Sequence, residues 1–208
     1  LAPSSGSNSL VSYCVFEKAK TGLVLTQLSF TMTVSYNIFK IPLSITQSTF
    51  FLFQQFLFNT FPASLLLSNN RLEYSFNLNN YPNGNAVTLQ SNVFTFSSNI
   101  MVYMYAGHCN VWDNEFSGAN QVSFSGFGGY SILRNRFTGI TFGISVYGYY
   151  ACSFSNNIVT NCVQSNYNAG GGTLVSLRFN SGNVSQNTIT NNRGFYGLVH
   201  IVPSDQYF

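Results

Sequence analysis

An asparagine recurs at nearly constant spacing through the last two thirds of this 208-residue chain. An apolar residue generally stands three positions before it and another stands two positions after it. The interval is almost the same from each asparagine to the next, except for a longer gap before the last. The matching segments are Leu67..Asn70..Leu72, Leu89..Asn92..Phe94, Val111..Asn114..Phe116, Ile132..Asn135..Phe137, Asn156..Ile158 and Val184..Asn187..Ile189. Because asparagine is abundant in this chain, some matches to the motif are expected by chance, but their even spacing is not.

A repeat unit of about 22 residues excludes most repeat architectures. It is shorter than a propeller blade, and its flanks alternate like strands, with no helical period. One turn of a parallel β-solenoid fits, with successive coils about 4.8 Å apart. The sequence therefore predicts an all-β solenoid whose asparagines point inward and stack on one another. These ladder residues are Asn70, Asn92, Asn114, Asn135, Asn156 and Asn187.

With this motif, residues 65–201 resemble the right-handed parallel β-helix superfamily, which has the pectate-lyase-like fold. The resemblance implies a right-handed coil with an inward asparagine at one corner. It implies a fold rather than an activity, because unrelated functions share such folds.

The regularity of the repeat suggests three segments. Residues 61–208 are predicted to form the parallel β-helix, with a loop insertion near 163–173, where the spacing lengthens and glycines cluster. Residues 13–60 are predicted to be a β-rich cap or additional coils, and residues 1–12 a tail or joint. Asn37 and Asn59 both fit the motif, but Asn59 stands only half a repeat before Asn70, so either Asn59 or Asn70 is out of phase.

Polarity in this chain comes from neutral side chains, since 26 Asn and 27 Ser stand against 13 charged residues. No Lys/Arg run could neutralise a row of phosphates, which argues against nucleic-acid binding. No apolar run approaches the roughly 20 residues of a membrane-spanning helix. Neither a membrane span nor a nucleic-acid partner is therefore expected.

The repeat also predicts which charges are neighbours. Positions just before and just after each ladder asparagine point outward, so Asp113 lies beside Arg134 and Glu115 beside Arg136. Each exposed pair stabilises the coil by at most about 1 kcal/mol. Asp113 and Glu115 form the one candidate carboxylate pair, and the opposed arginines favour ion pairing over acid–base catalysis. No catalytic residue or cofactor is predicted.

The histidines and cysteines do not form a convincing site in the sequence. Adjacent residues of a strand face opposite sides, so His108 and Cys109 would diverge. Two histidines without a Cys-x-x-Cys spacing do not indicate a metal site. Cys109 and Cys152 would lie two coils apart, beyond disulfide reach, whereas a Cys152–Cys162 disulfide stays open.

The residues two positions before the ladder asparagines also point outward, and in three successive coils they predict an apolar column of Trp112, Leu133 and Phe154. Such a stripe is unusual on an isolated monomer. It would be covered by another part of the chain, contact another protomer, or stack against sugar rings. Asn183 begins the single Asn-x-Ser/Thr sequon, which would be a glycosylation site if the chain is secreted.

These observations favour a non-enzymatic structural protein, extracellular or on the cell surface. Its coils would form a rigid rod within a filament or larger assembly with other protein chains. The alternative is a carbohydrate-active or carbohydrate-binding β-helix, with glycans as partners. A weaker alternative is a fragment of an adhesin.

Overall fold

The chain folds as a parallel β-solenoid in a computed structural model that describes residues 9–16, 24–25, 32–39, 43–47, 65–73, 76–80, 86–95, 99–104, 107–164 and 172–203. Three sheets of eight strands each enclose one core, and all their strand pairs are parallel. No helix occurs within these ranges. The predicted all-β solenoid and its repeat length are therefore confirmed.

Each coil contributes one strand to each sheet. The first sheet contains β1 (Ser9–Ser12), β4 (Met32–Ser35), β7 (Leu65–Ser68), β10 (Ala86–Gln90), β13 (His108–Trp112), β16 (Gly129–Leu133), β19 (Cys152–Ser155) and β22 (Gly182–Ser185). The second sheet contains β2 (Val15–Phe16), β5 (Ile38–Phe39), β8 (Arg71–Leu72), β11 (Val93–Thr95), β14 (Glu115–Ser117), β17 (Arg136–Thr138), β20 (Ile158–Thr160) and β23 (Thr188–Thr190). The third sheet contains β3 (Val24–Leu25), β6 (Leu43–Gln47), β9 (Phe76–Asn80), β12 (Ile100–Met104), β15 (Gln121–Gly126), β18 (Gly143–Gly148), β21 (Thr173–Phe179) and β24 (Gly197–Pro203).

A single residue with positive φ turns the chain from the first sheet to the second. Its φ lies between 53° and 58° in every described coil, which is the left-handed region that most residues avoid. The next residue then points into the core. These corner residues are Tyr13, Tyr36, Asn69, Ser91, Asp113, Arg134, Asn156 and Gln186.

The core combines the apolar residues that flank the repeated asparagine with inward side chains of the third sheet. Three phenylalanines two positions after it, Phe94, Phe116 and Phe137, stack with centroids 4.7 and 4.8 Å apart and nearly parallel rings. All three are fully buried. Burying a side chain of this size stabilises a fold by about 1.5–3 kcal/mol, so the column contributes strongly to axial cohesion.

The N-terminal strands belong to the same three sheets. Strand β1 lies within residues 1–12, the segment predicted as a tail, and pairs with β4. Asn37 and Asn70 lie in phase, because the Asn37 backbone N–H donates to Asn70 Oδ1 at 2.9 Å across 33 residues. Asn59 lies outside the described residues, as do residues 165–171 of the predicted loop insertion.

Candidate functional site

A continuous stack of asparagines runs along the first corner inside the solenoid. From each asparagine to the next, the backbone N–H donates to the following Oδ1 at 2.9–3.0 Å. The side-chain Nδ2 donates to that same oxygen at 3.0–3.1 Å. The asparagine stack consists of Asn37, Asn70, Asn92, Asn114, Asn135, Asn157 and Asn187.

The prediction for Asn156 is wrong, because its neighbour Asn157 occupies the stack. Asn156 turns the corner with φ 56° and is exposed, whereas Asn157 is fully buried. Asparagine tolerates the left-handed conformation, so either residue of an Asn-Asn pair suits the corner. The sequence did contain a signal: Asn157 places Phe154 and Val159 at the two apolar positions, which Asn156 does not.

This one-residue shift also corrects the predicted outward column. Phe154 is 1% exposed and points into the core, so it does not join Trp112 and Leu133 outside. Trp112 and Leu133 do lie side by side in register, each half-buried. Ser155 follows them in register with Leu133 and is itself buried. The three-residue apolar stripe therefore does not exist.

The two predicted charge pairs differ. Arg134 Nε donates to Asp113 Oδ1 at 2.7 Å, and Arg134 Nη2 donates to Asp113 Oδ2 at 2.9 Å. These hydrogen bonds from Arg134 lower the pKa of Asp113. Glu115 and Arg136 are register neighbours, but no ion pair joins them among the described residues.

One ion pair was missed because it lies within a single coil. Arg71 Nε donates to Glu73 Oε1 at 2.8 Å. Residues two apart in an extended segment share a face, so the spacing of Arg71 and Glu73 could have predicted the pair. Two of the three described carboxylates are therefore held by arginines.

His108 meets a serine of the next coil instead of a cysteine. Its Nε2 lies 2.7 Å from Ser131 Oγ, and burial lowers the pKa of the imidazole. Cys109 points into the core, where burial raises the pKa of its thiol. In the described ranges, no group of three His, Cys, Asp or Glu residues could hold a metal ion. Among the residues that the structure describes, no carboxylate hydrogen-bonds to His108, so the Ser131–His108 contact lacks the group that orients the base in a nucleophilic triad.

All four cysteines are free thiols, including Cys152 and Cys162, whose pairing the sequence left open. Tyr130 separates Cys109 from Cys152 in register, as the coil spacing predicted. Cys14 is exposed at the first coil, where it takes the stack position and donates its backbone N–H to Asn37 Oδ1 at 2.9 Å.

Exposed aromatic rings gather at the corner between the third and first sheets. The rings of Phe127 and Tyr149 lie 6.3 Å apart, and those of Tyr149 and Tyr150 lie 5.8 Å apart, nearly perpendicular. All three residues are exposed. We call Phe127, Tyr149 and Tyr150 the corner cluster. Phe127 was missed because it lies outside the repeated motif.

The sequon asparagine lies on the outer surface of the last coil. Asn183 is exposed on β22, and its Nδ2 donates to Ser185 Oγ at 3.1 Å. The modification itself stays a prediction.

The C-terminal end of the solenoid exposes side chains that elsewhere form the core. We call this surface, formed by β22, β23 and β24, the open end. Val199 and Ile201 are 43% and 52% exposed, although they pair in register with Val175 and Leu177, which are fully buried. A cavity of about 280 Å³ opens there. It is lined by Phe154, Val175, Val184, Ser185, Gln186, Asn187, Ile189 and Val199.

The same coil also exposes strand edges. Since β22, β23 and β24 are the last strands of their sheets, one side of each has no neighbouring strand in the described structure. Such edges can pair with a strand from another chain. The open end therefore combines apolar surface with unpaired backbone groups, and it is the main candidate site.

Within the described part of the chain, no helix is long and apolar enough to cross a membrane. No protein-family model, curated protein or solved structure matches the chain.

Proposed function

We propose that this protein is a non-enzymatic structural component, extracellular or on the cell surface, whose rigid β-solenoid is built into a larger assembly with other protein chains. One observation carries the proposal: the open end exposes Val199 and Ile201 at positions that are buried in the preceding coil. Covering such side chains is favourable at about 25 cal/mol per Å² of apolar surface. The unpaired strand edges add directional hydrogen bonds to the same contact.

The charges of the described surface support a structural role. Glu73 and Asp113 are engaged by Arg71 and Arg134, which leaves Glu115 as the one described carboxylate without an ion pair. Retaining and inverting glycosidases work with two carboxylates flanking one bond. A long stack of neutral amides, by contrast, gives axial rigidity without buried charge.

Sedimentation velocity over a wide concentration range tests this proposal. We expect reversible association of the wild-type chain that is lost in Val199→Lys/Ile201→Lys, because lysines at the open end prevent its burial. Met101→Lys/Tyr147→Lys is the matched control, since Met101 and Tyr147 are 49% and 37% exposed on the outer face of the third sheet. Wild-type association that Val199→Lys/Ile201→Lys leaves unchanged would overturn the proposal.

The alternative function, carbohydrate binding or cleavage, is favoured by the corner cluster and by the resemblance to pectate-lyase-like β-helices. Exposed aromatic rings offer apolar faces to sugar rings. The test is binding and turnover with acidic and neutral polysaccharides. Tyr149→Ala/Tyr150→Ala should abolish binding, and turnover abolished by Asp113→Asn or Glu115→Gln would replace the structural proposal.

A further inference from the structure

The asparagine stack has a direction. Every stack oxygen accepts hydrogen bonds from the preceding coil, and every stack backbone N–H before Asn187 donates to the following coil. The side-chain Nδ2 also reaches back to a carbonyl of the preceding coil in much of the stack, as Asn114 does to Leu89 at 2.9 Å. The stack backbone N–H groups therefore face the C-terminal end of the solenoid, and the stack Oδ1 atoms face the N-terminal end.

At the open end this pattern stops with unmet donors. Asn187 Oδ1 is occupied by Asn157, and Asn187 Nδ2 donates to the Phe154 carbonyl at 2.7 Å. Among the described residues, no acceptor meets the Asn187 backbone N–H. A following coil would supply that acceptor as a side-chain oxygen, as Asn187 does for Asn157.

A second corner of the last coil repeats the arrangement. Asn192 follows a left-handed residue, Asn191, and its Oδ1 accepts the Cys162 backbone N–H at 2.8 Å. Asn192 Nδ2 donates to the Val159 carbonyl at 3.0 Å. Its backbone N–H also lacks an acceptor within the described part of the chain. The open end thus presents two donors of the same kind, five residues apart.

We infer that the open end binds a β-coil of another polypeptide that carries asparagines at two positions five residues apart. Apolar residues three before and two after the first asparagine would cover the exposed core. The pattern is apolar-x-x-Asn-x-apolar-x-x-Asn. This inference rests on the proposed function, because it names the partner of the same assembly surface.

A second copy of this chain fits less well in either orientation. Stacked head to tail, its first coil would place Cys14 over Asn187, and a thiol is a weak acceptor. Stacked tail to tail, two open ends would bring donors against donors. Apolar contact alone therefore permits weak self-association, whereas a coil bearing asparagines satisfies both the apolar surface and the donors.

A labelled synthetic peptide tests the inference against the full chain. Residues 181–195 serve as the probe, because they contain Val184, Asn187, Ile189 and Asn192 in the required pattern. Fluorescence anisotropy should show saturable binding that Val199→Lys/Ile201→Lys in the protein abolishes. The peptide with both asparagines changed to alanine should bind at least about ten-fold more weakly, since two buried donors then lose their acceptors.

The control peptide is Thr188→Ala/Thr190→Ala, which alters outward side chains and should bind like the parent. Equal binding of the parent and the double-alanine peptide would contradict the inference while leaving the proposed function intact. Self-association of the chain that is tighter than peptide binding would also overturn it. No binding by any peptide, together with a monomeric chain, would remove both.

Discussion

Replacing Asn157 and Asn156 separately compares two adjacent asparagines that have opposite structural roles. Asn157 is fully buried in the stack, and Asn156 is an exposed corner residue. The substitutions Asn157→Ala and Asn156→Gly therefore probe the same corner from inside and outside.

The magnitude for Asn157→Ala follows from its hydrogen bonds. Its Oδ1 accepts the backbone N–H of Asn135 at 2.9 Å, and its Nδ2 donates to the Ile132 carbonyl at 2.9 Å. Alanine leaves the buried Asn135 N–H without its acceptor, at a cost of about 1–3 kcal/mol, and removes the Nδ2 hydrogen bond to Ile132, which contributes about 0.5–1.5 kcal/mol. We expect the free energy of unfolding to fall by about 1.5–4.5 kcal/mol.

Asn156→Gly should change the free energy of unfolding by no more than about 1 kcal/mol, because glycine adopts positive φ without strain, which offsets its larger entropy in the unfolded chain. Urea unfolding followed by circular dichroism measures both variants. A larger loss for Asn156→Gly than for Asn157→Ala would refute the register of the stack.

Three further predictions concern the core, the thiols and the surface charge. Phe116→Ala should lower the free energy of unfolding by about 3–5 kcal/mol because it empties the middle of the phenylalanine column; thermal denaturation should show almost no effect of Phe127→Ala, which is exposed. A maleimide probe should label Cys14 in the folded protein, but it should label the buried Cys109, Cys152 and Cys162 only after unfolding. Rapid labelling of all four thiols in the folded protein would contradict the burial of these three. Because Arg134 lowers the pKa of Asp113, the Asp113–Arg134 ion pair should stabilise the fold above the usual pKa of Asp113, 3.8, and this stabilisation should be lost as the pH falls through the lowered pKa. Asp113→Asn should remove that pH dependence of the free energy of unfolding.

The repeat predicts the fold well because each coil must solve the same packing problem. An inward amide and two apolar flanks recur where the chain turns a corner, so spacing alone identifies the solenoid. The predicted register is wrong at residues 156–157, because the sequence spacing allows either asparagine in the stack while only one of them can point inward. That single step also moved Phe154 from the outside to the core.

Other features depend on distances between side chains, which the spacing of residues in the sequence does not determine. Glu115 and Arg136 are neighbours in register, yet their side chains form no ion pair, whereas Asp113 and Arg134 do. The corner cluster lies outside the motif, so the repeat does not predict it. The open end became evident from the exposure of Val199, which the sequence alone cannot supply.

NMR scalar couplings across hydrogen bonds would detect the asparagine stack in solution. The backbone ¹⁵N of Asn92 should couple to the side-chain ¹³Cγ of Asn114, and that of Asn135 should couple to the ¹³Cγ of Asn157. Couplings to Asn156, or none between asparagines of successive coils, would contradict the asparagine stack.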